Sequence, residues 1–148
     1  PALPLVYVNT ELDASVGVYA LDGGTGALSL LQRARTVPPT FNGWNATSGI
    51  VPSRDGRSLF VANRGHDSVA VLPLNTATGL FSGDIVWHPS GGHFPRALTY
   101  VARRNLLLIG NQDGDCIAGY DVTETGGLAT GPTVIGTPSP SSILWIER

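Results

Sequence analysis

Methionine is absent from all 148 residues, position 1 included, and cysteine occurs once, at position 116. A single thiol excludes a disulfide framework within the chain, and Cys116, opening the apolar run CIAGY, is expected to be a small buried hydrophobe. Charge is sparse: 14% of residues are Asp, Glu, Lys or Arg, against about 25% in an ordinary soluble domain. With a balance of −2 and no basic stripe to track phosphates, nucleic acid is not an expected partner. No apolar run approaches the ~20 residues of a membrane-spanning helix, so a membrane is not expected either. Helix-length stretches of 3.6-residue period are missing too, and Pro38, Pro39, Pro52, Pro73, Pro89 and Pro95 interrupt the chain. A first residue other than methionine leads us to expect a mature or excised piece of a longer protein.

What the chain has in quantity is glycine (19) and proline (11) between short apolar runs, the composition of buried strands joined by tight turns. The runs repeat. YVNTELDASVGVYAL (7–21) overlays FVANRGHDSVAVLPL (60–74) without a gap at an offset of 53, and LIGNQDGDCIAGYDV (108–122) follows the second copy at an offset of 48. Each copy is a strand, a polar turn, a second strand and a glycine-bearing turn. SGIVPS (48–53) and RALTYV (96–101) precede the second and third copies as further strands, and SSILWI (141–146) reads as the opening strand of a fourth unit.

Four antiparallel strands repeating every 40 to 50 residues predict β-propeller blades, with a flat sandwich as the structural alternative. The fold class is therefore all-β, with about three blades: units at 1–46, 47–94 and 95–139, and a final strand at 140–148. Trp44, Trp87 and Trp145 are expected to pack between blades. Asn45-Ala46-Thr47 matches a glycosylation sequon.

In such a meander the start of each opening strand and the turn two strands later share one mouth of the central channel. Register places Glu11, Arg64 and Gln112 at equivalent points of that turn, with Asp13, His66 and Gly114 one step further on. The opening strands begin at Ser48 and Gly49, at Arg96, and at Ser141 and Ser142. Each unit thus sends a different functional group to one rim from a nearly constant framework, the pattern of a site grafted on a repeat. Solvated turns also favour such residues, and Asp67, Asp113 and Asp115 are expected to cap turns.

PSRDGRSLFVANRGHDSVAVLPLNTATG and FPRALTYVARRNLLLIGNQDGDCIAGYDV, with VYVNTELDASVGVYALD before them and TPSPSSILWIER after, resemble consecutive blades of the lactonase family of seven-bladed β-propellers. That family includes cycloisomerase-type 6-phosphogluconolactonases and fungal 3-carboxy-cis,cis-muconate cyclases. The resemblance implies about three C-terminal blades of seven, with the remaining blades supplied by another chain or copy. It implies a small anionic lactone or carboxylate as substrate, opened or closed without a metal. Glu11 corresponds to a family glutamate of acid–base chemistry, and Arg64 to a family arginine that holds the anion. These two are the candidate catalytic residues.

His66, which can relay a proton or bind an anion, Arg96 behind Pro95, and Gln112 are the candidate substrate-binding residues. Where several members carry an acidic residue early in the opening strand, this chain has Gly49. A family histidine and a second arginine would come from earlier blades. The alternative is a non-catalytic propeller module that binds a protein or small ligand.

Other motifs fall short. Gly23-Gly24-Thr25-Gly26 lacks the helix and lysine of a phosphate loop, DGDC lacks the ligand series of a calcium hand, and His88 and His93 have no ligand spacing. No metal or cofactor is expected.

Overall fold

A computed structural model describes residues 4–146. The described residues form three antiparallel meanders. The first contains β1 (Leu5–Thr10), β2 (Ser15–Leu21) and β3 (Leu28–Arg35). The second contains β4 (Ala46–Pro52), β5 (Ser58–Arg64), β6 (Ser68–Pro73) and β7 (Val86–Pro89). The third contains β8 (Pro95–Val101), β9 (Leu106–Asn111), β10 (Cys116–Asp121) and β11 (Thr133–Gly136). Strands are hydrogen-bonded in chain order within each sheet, as propeller blades require. The offset of 53 superposes β1 and β2 on β5 and β6, and the offset of 48 carries β5 and β6 onto β9 and β10. The first blade has no opening strand among the described residues.

Side-chain alternation explains why the middle blade reads as unbroken apolar runs. In β5, Leu59 and Val61 face the first blade, where they pack with Val16, Ala70 and Leu72. Phe60 between them faces the third blade and packs with Val69, Val71, Leu107, Ile109 and Tyr120. A strand buried on both faces has no solvent side to keep polar. The two outer faces remain open, with Leu28, Leu30 and Leu31 exposed on the first blade and Ile135 on the third.

Polar stitches join the blades at both ends of the strands. The Tyr7 hydroxyl donates to the Gly79 carbonyl at 2.7 Å, and Ser58 Oγ donates to the Gly126 carbonyl at 2.8 Å. At the opposite end Asn63 is fully buried. Its Nδ2 donates to the Thr36 carbonyl at 2.7 Å, and its Oδ1 accepts from Thr36 Oγ1 at 2.8 Å and Asn45 Nδ2 at 3.2 Å. Truncating Asn63 leaves Asn45 Nδ2 buried and unpaired, at about 1–3 kcal/mol for an unpaired group. It also removes one of the two bonds of the Thr36 carbonyl and of Thr36 Oγ1, which keep Trp87 Nε1 and the Ala14 carbonyl. Asn63→Ala is therefore expected to cost about 2–3 kcal/mol, checked by the shift in urea midpoint at constant m-value.

Four expectations resolve differently or further here. Cys116 is buried, as its apolar run suggested. Trp87 packs between the first two blades and donates from Nε1 to the Thr36 carbonyl at 2.7 Å, but Trp44 stands 62% exposed at a loop and Trp145 is also exposed. Residues 141–146 make no strand ladder, because an opening strand takes its ladder from the strand that follows it; the stretch is held beside β8 by Thr99 Oγ1 donating to the Ile143 carbonyl at 2.6 Å. Residues 147–148 of that expected strand lie outside the described residues. Asn45, the sequon residue, is buried and bonded through both ends of its amide, leaving no room for a glycan in the folded chain.

Candidate active site at the blade rim

A concave cavity of about 400 Å³ opens at the rim, lined by Asn9, Glu11, Thr47, Ser48, Arg64, Arg96 and Ser141. Its walls come from the ends of β1 and β5, the starts of β4 and β8, and the segment after β11. Glu11 opens a single 3-10 turn, Glu11–Asp13, which ends at Ala14 with φ 50°. The equivalent turns of the other blades have the same four-residue length and end likewise at positive φ, at Asp67 and Asp115. The ladder slips between Thr47 and Ile50 in β4, and again between Pro95 and Ala97 in β8. Such irregularities re-aim side chains at sheet ends, and both fall where the cavity takes Ser48 and Arg96.

Glu11 and Arg64 form an ion pair, with Arg64 Nη2 donating to Glu11 Oε1. The same nitrogen donates to the Thr47 carbonyl at 3.2 Å. The Arg64 side chain is 11% exposed and Glu11 is 60% exposed, so the carboxylate meets solvent while the guanidinium is largely enclosed. Arg64 Nε and Thr47 Oγ1 are buried without a hydrogen-bond partner. Arg96 donates from Nη1 to Gln112 Oε1 at 2.9 Å. Two guanidiniums thus share the cavity with one carboxylate, leaving it net positive and suited to an anion.

Of the candidate residues, the fold brings Glu11, Arg64 and Arg96 into one cavity. Gln112 stands behind Arg96 as its hydrogen-bond partner. His66 lies outside the lining: its Nδ1 is 2.7 Å from Ser68 Oγ and its ring meets Phe41 edge-on, 4.7 Å between centroids. Gly65 turns the chain there with φ 104°, and a Cβ would sit 2.3 Å from the Trp44 carbonyl oxygen, so glycine is required. Asp13, one step past Glu11, pairs with Arg33 and accepts from Ser15 Oγ at 2.7 Å, a contact that secures the turn.

Gly49 faces the third blade rather than the cavity. A Cβ there would lie 2.8 Å from the Leu98 backbone nitrogen. In this chain an acidic side chain at 49 would collide with β8, and the neighbouring Ser48 is the residue that reaches the cavity.

Asp67 does more than cap its turn. Its Oδ1 accepts from the Phe94 N–H at 2.8 Å, and its Oδ2 lies 2.9 Å from His93 Nδ1. Burial alone would push this carboxyl up, but the bonds from His93 and the Phe94 N–H, with the charge of His93, outweigh it and hold Asp67 below the usual aspartate value. The folded state therefore favours the ionised form. The stabilisation is present above the unfolded aspartate range, about 3.9, and is lost as pH falls through the lower folded value. Wild type and Asp67→Asn are expected to differ in urea midpoint at pH 7 and to converge in acid. A constant difference at all pH values would contradict this.

Sequence reasoning missed Thr47, Asn9 and Phe94. Thr47 and Asn9 flank residues already singled out, so following the register one step either way would have found them. Phe94 had no signal.

Comparison with known proteins gives a consistent result. The profile of the family described as Lactonase, 7-bladed beta-propeller matches residues 1–145. A 6-phosphogluconolactonase of Bacillus subtilis is 28% identical over 152 aligned positions that take in 100% of this chain but 42% of that protein. A crystal structure of a Lactobacillus plantarum protein superposes with a TM-score of 0.88 at 25% identity, covering 97% of this chain and 42% of its own. The periplasmic gluconolactonase of Pseudomonas aeruginosa superposes with a TM-score of 0.82 at 27% identity, covering 91% of this chain and 37% of its own. The chain spans less than half the length of each.

Proposed function

The chain belongs to the lactonase family of seven-bladed β-propellers, and on that premise we propose that its rim cavity hydrolyses a small anionic lactone of the 6-phosphogluconolactone or carboxymuconolactone class without a metal. The observation that carries this reading is the meeting of one carboxylate, Glu11, with two guanidiniums, Arg64 and Arg96, in a single cavity.

Glu11 takes a proton from water as the water oxygen attacks the lactone carbonyl carbon. The carbonyl oxygen becomes an oxyanion, and the guanidinium of Arg64, largely withdrawn from solvent, offsets that charge. The ring C–O bond then breaks, the ring oxygen takes the proton back from Glu11, and an open hydroxy acid leaves. Arg96, the more exposed guanidinium, grips the substrate's phosphate or carboxylate, with Gln112 holding its other side. In ring closure of a carboxymuconate no water takes part: Arg64 and Arg96 would hold the diene carboxylates while a carboxylate oxygen adds to the C=C bond and protonated Glu11 gives its proton to the neighbouring carbon.

The open apolar faces of the outer blades support a second part of the reading, that the working form sets further blades against them.

Arg96→Ala in the assembled propeller is expected to raise KM for 6-phosphogluconolactone about 10- to 150-fold. That range is what a charge-assisted hydrogen bond of ~1.5–3 kcal/mol is worth. KM for unphosphorylated gluconolactone is expected to change less than about twofold. Equal losses on both lactones, or none on either, would overturn the assignment.

A further inference from the structure

Phe94 has φ 56°, left-handed backbone that is costly for a bulky residue and persists only where its surroundings impose it. The following proline favours extended backbone at this position, so the conformation runs against the local sequence. Two bonds impose it. The Phe94 N–H donates to Asp67 Oδ1 at 2.8 Å, and the Phe94 carbonyl accepts from the Gln112 N–H at 3.0 Å. Asp67 is itself fixed to the same segment, its carbonyl accepting from the Ser90 N–H at 2.8 Å. The linker before β8 is thus pinned between the turns of the second and third blades.

The pinned backbone delivers the ring to one place. Arg64 Cζ lies 5.1 Å from the Phe94 centroid, over the ring face. Phe94 also stacks on Trp44, 6.2 Å between centroids and 9° from parallel. Both protein hydrogen bonds of Arg64 fall on Nη2, so hydrogen bonding alone leaves the guanidinium plane some torsional freedom within its enclosed site. A ring face against the plane removes that freedom, and the ring quadrupole favours the cation there.

We infer that Phe94, locked by Asp67, is the positioning residue of Arg64, fixing the guanidinium plane that offsets the oxyanion of the reaction, for which inorganic phosphate in the shared cavity is the anionic probe. This rests on the anion-site reading above. It requires no contact between Phe94 and substrate.

The test compares Phe94→Leu, which carries the same backbone strain without a ring, with Phe94→Tyr, which restores the ring. Two quantities are read: the dissociation constant for inorganic phosphate, and the Arg64 Nε–H resonance, identified by its loss in Arg64→Lys. Phe94→Leu is expected to weaken phosphate binding about five- to thirtyfold and to abolish the ring-current displacement of that resonance. Phe94→Tyr is expected to recover both, to within about twofold in affinity. A Phe94→Leu protein that keeps the wild-type resonance, or a Phe94→Tyr protein as impaired as Phe94→Leu, would overturn the positioning role. A wild type that shows the displaced resonance but binds no phosphate would uphold the hold on Arg64 and overturn the anion site instead.

Discussion

Glu11→Gln is expected to lower lactone turnover about 10²–10⁴-fold, the range over which a positioned general base contributes. The amide matches the carboxylate in size and still accepts a hydrogen bond from Arg64, so the cavity keeps its shape. What it cannot do is take a proton from water. Glu11 is 60% exposed, and an exposed ion pair is worth about 0–1 kcal/mol, so the urea midpoint is expected to move little. Loss of turnover with retained stability is the signature. A decrease in rate that tracks a fall in stability would mean that Glu11 serves the fold alone.

Phe60→Ala is expected to destabilise the chain by about 3–5 kcal/mol, the cost of emptying a fully buried aromatic site. Phe60 is 0% exposed, packs against β9 and β10 of the next blade, and stacks with Tyr100 at 6.3 Å between centroids. Its surroundings are strands from two sheets whose spacing is fixed by their own ladders, so collapse around the cavity is restricted. Urea unfolding gives the magnitude. A cost below about 1 kcal/mol, less than deleting a single well-packed core side chain, would mean that the second and third blades do not share a core as described.

The framework was legible in the sequence because its cause is local and repeated. Leu59, Phe60 and Val61 belong to a short apolar run that reads as a strand, and the gapless overlay of 7–21 on 60–74 carried the register of one blade to the next. Register also placed Glu11 and Arg64 at equivalent points of equivalent turns and Arg96 at the start of an opening strand, positions that share one rim. His66 passed the same test, yet the φ of 104° at Gly65 and the contact with Ser68 send its ring toward Phe41 and out of the cavity. That rotation depends on torsions within the turn, which spacing does not encode.

Phe94 was invisible for a different reason. Its proline neighbour favours extended backbone, and only bonds from Asp67 and Gln112, in two other turns, override it. Trp44 likewise read as an inter-blade filler because its stacking partner lies fifty residues on, in a linker without periodicity.

The most direct measurement is a double-mutant cycle on 6-phosphogluconolactone hydrolysis in the assembled propeller, using Glu11→Gln, Arg64→Ala and the pair together. Groups that act as one unit on the same transition state give strongly non-additive losses. The predicted result is a double variant about as slow as the slower single variant. Losses that simply multiply, or a wild type with no turnover above the uncatalysed rate, would contradict a shared catalytic site at the rim.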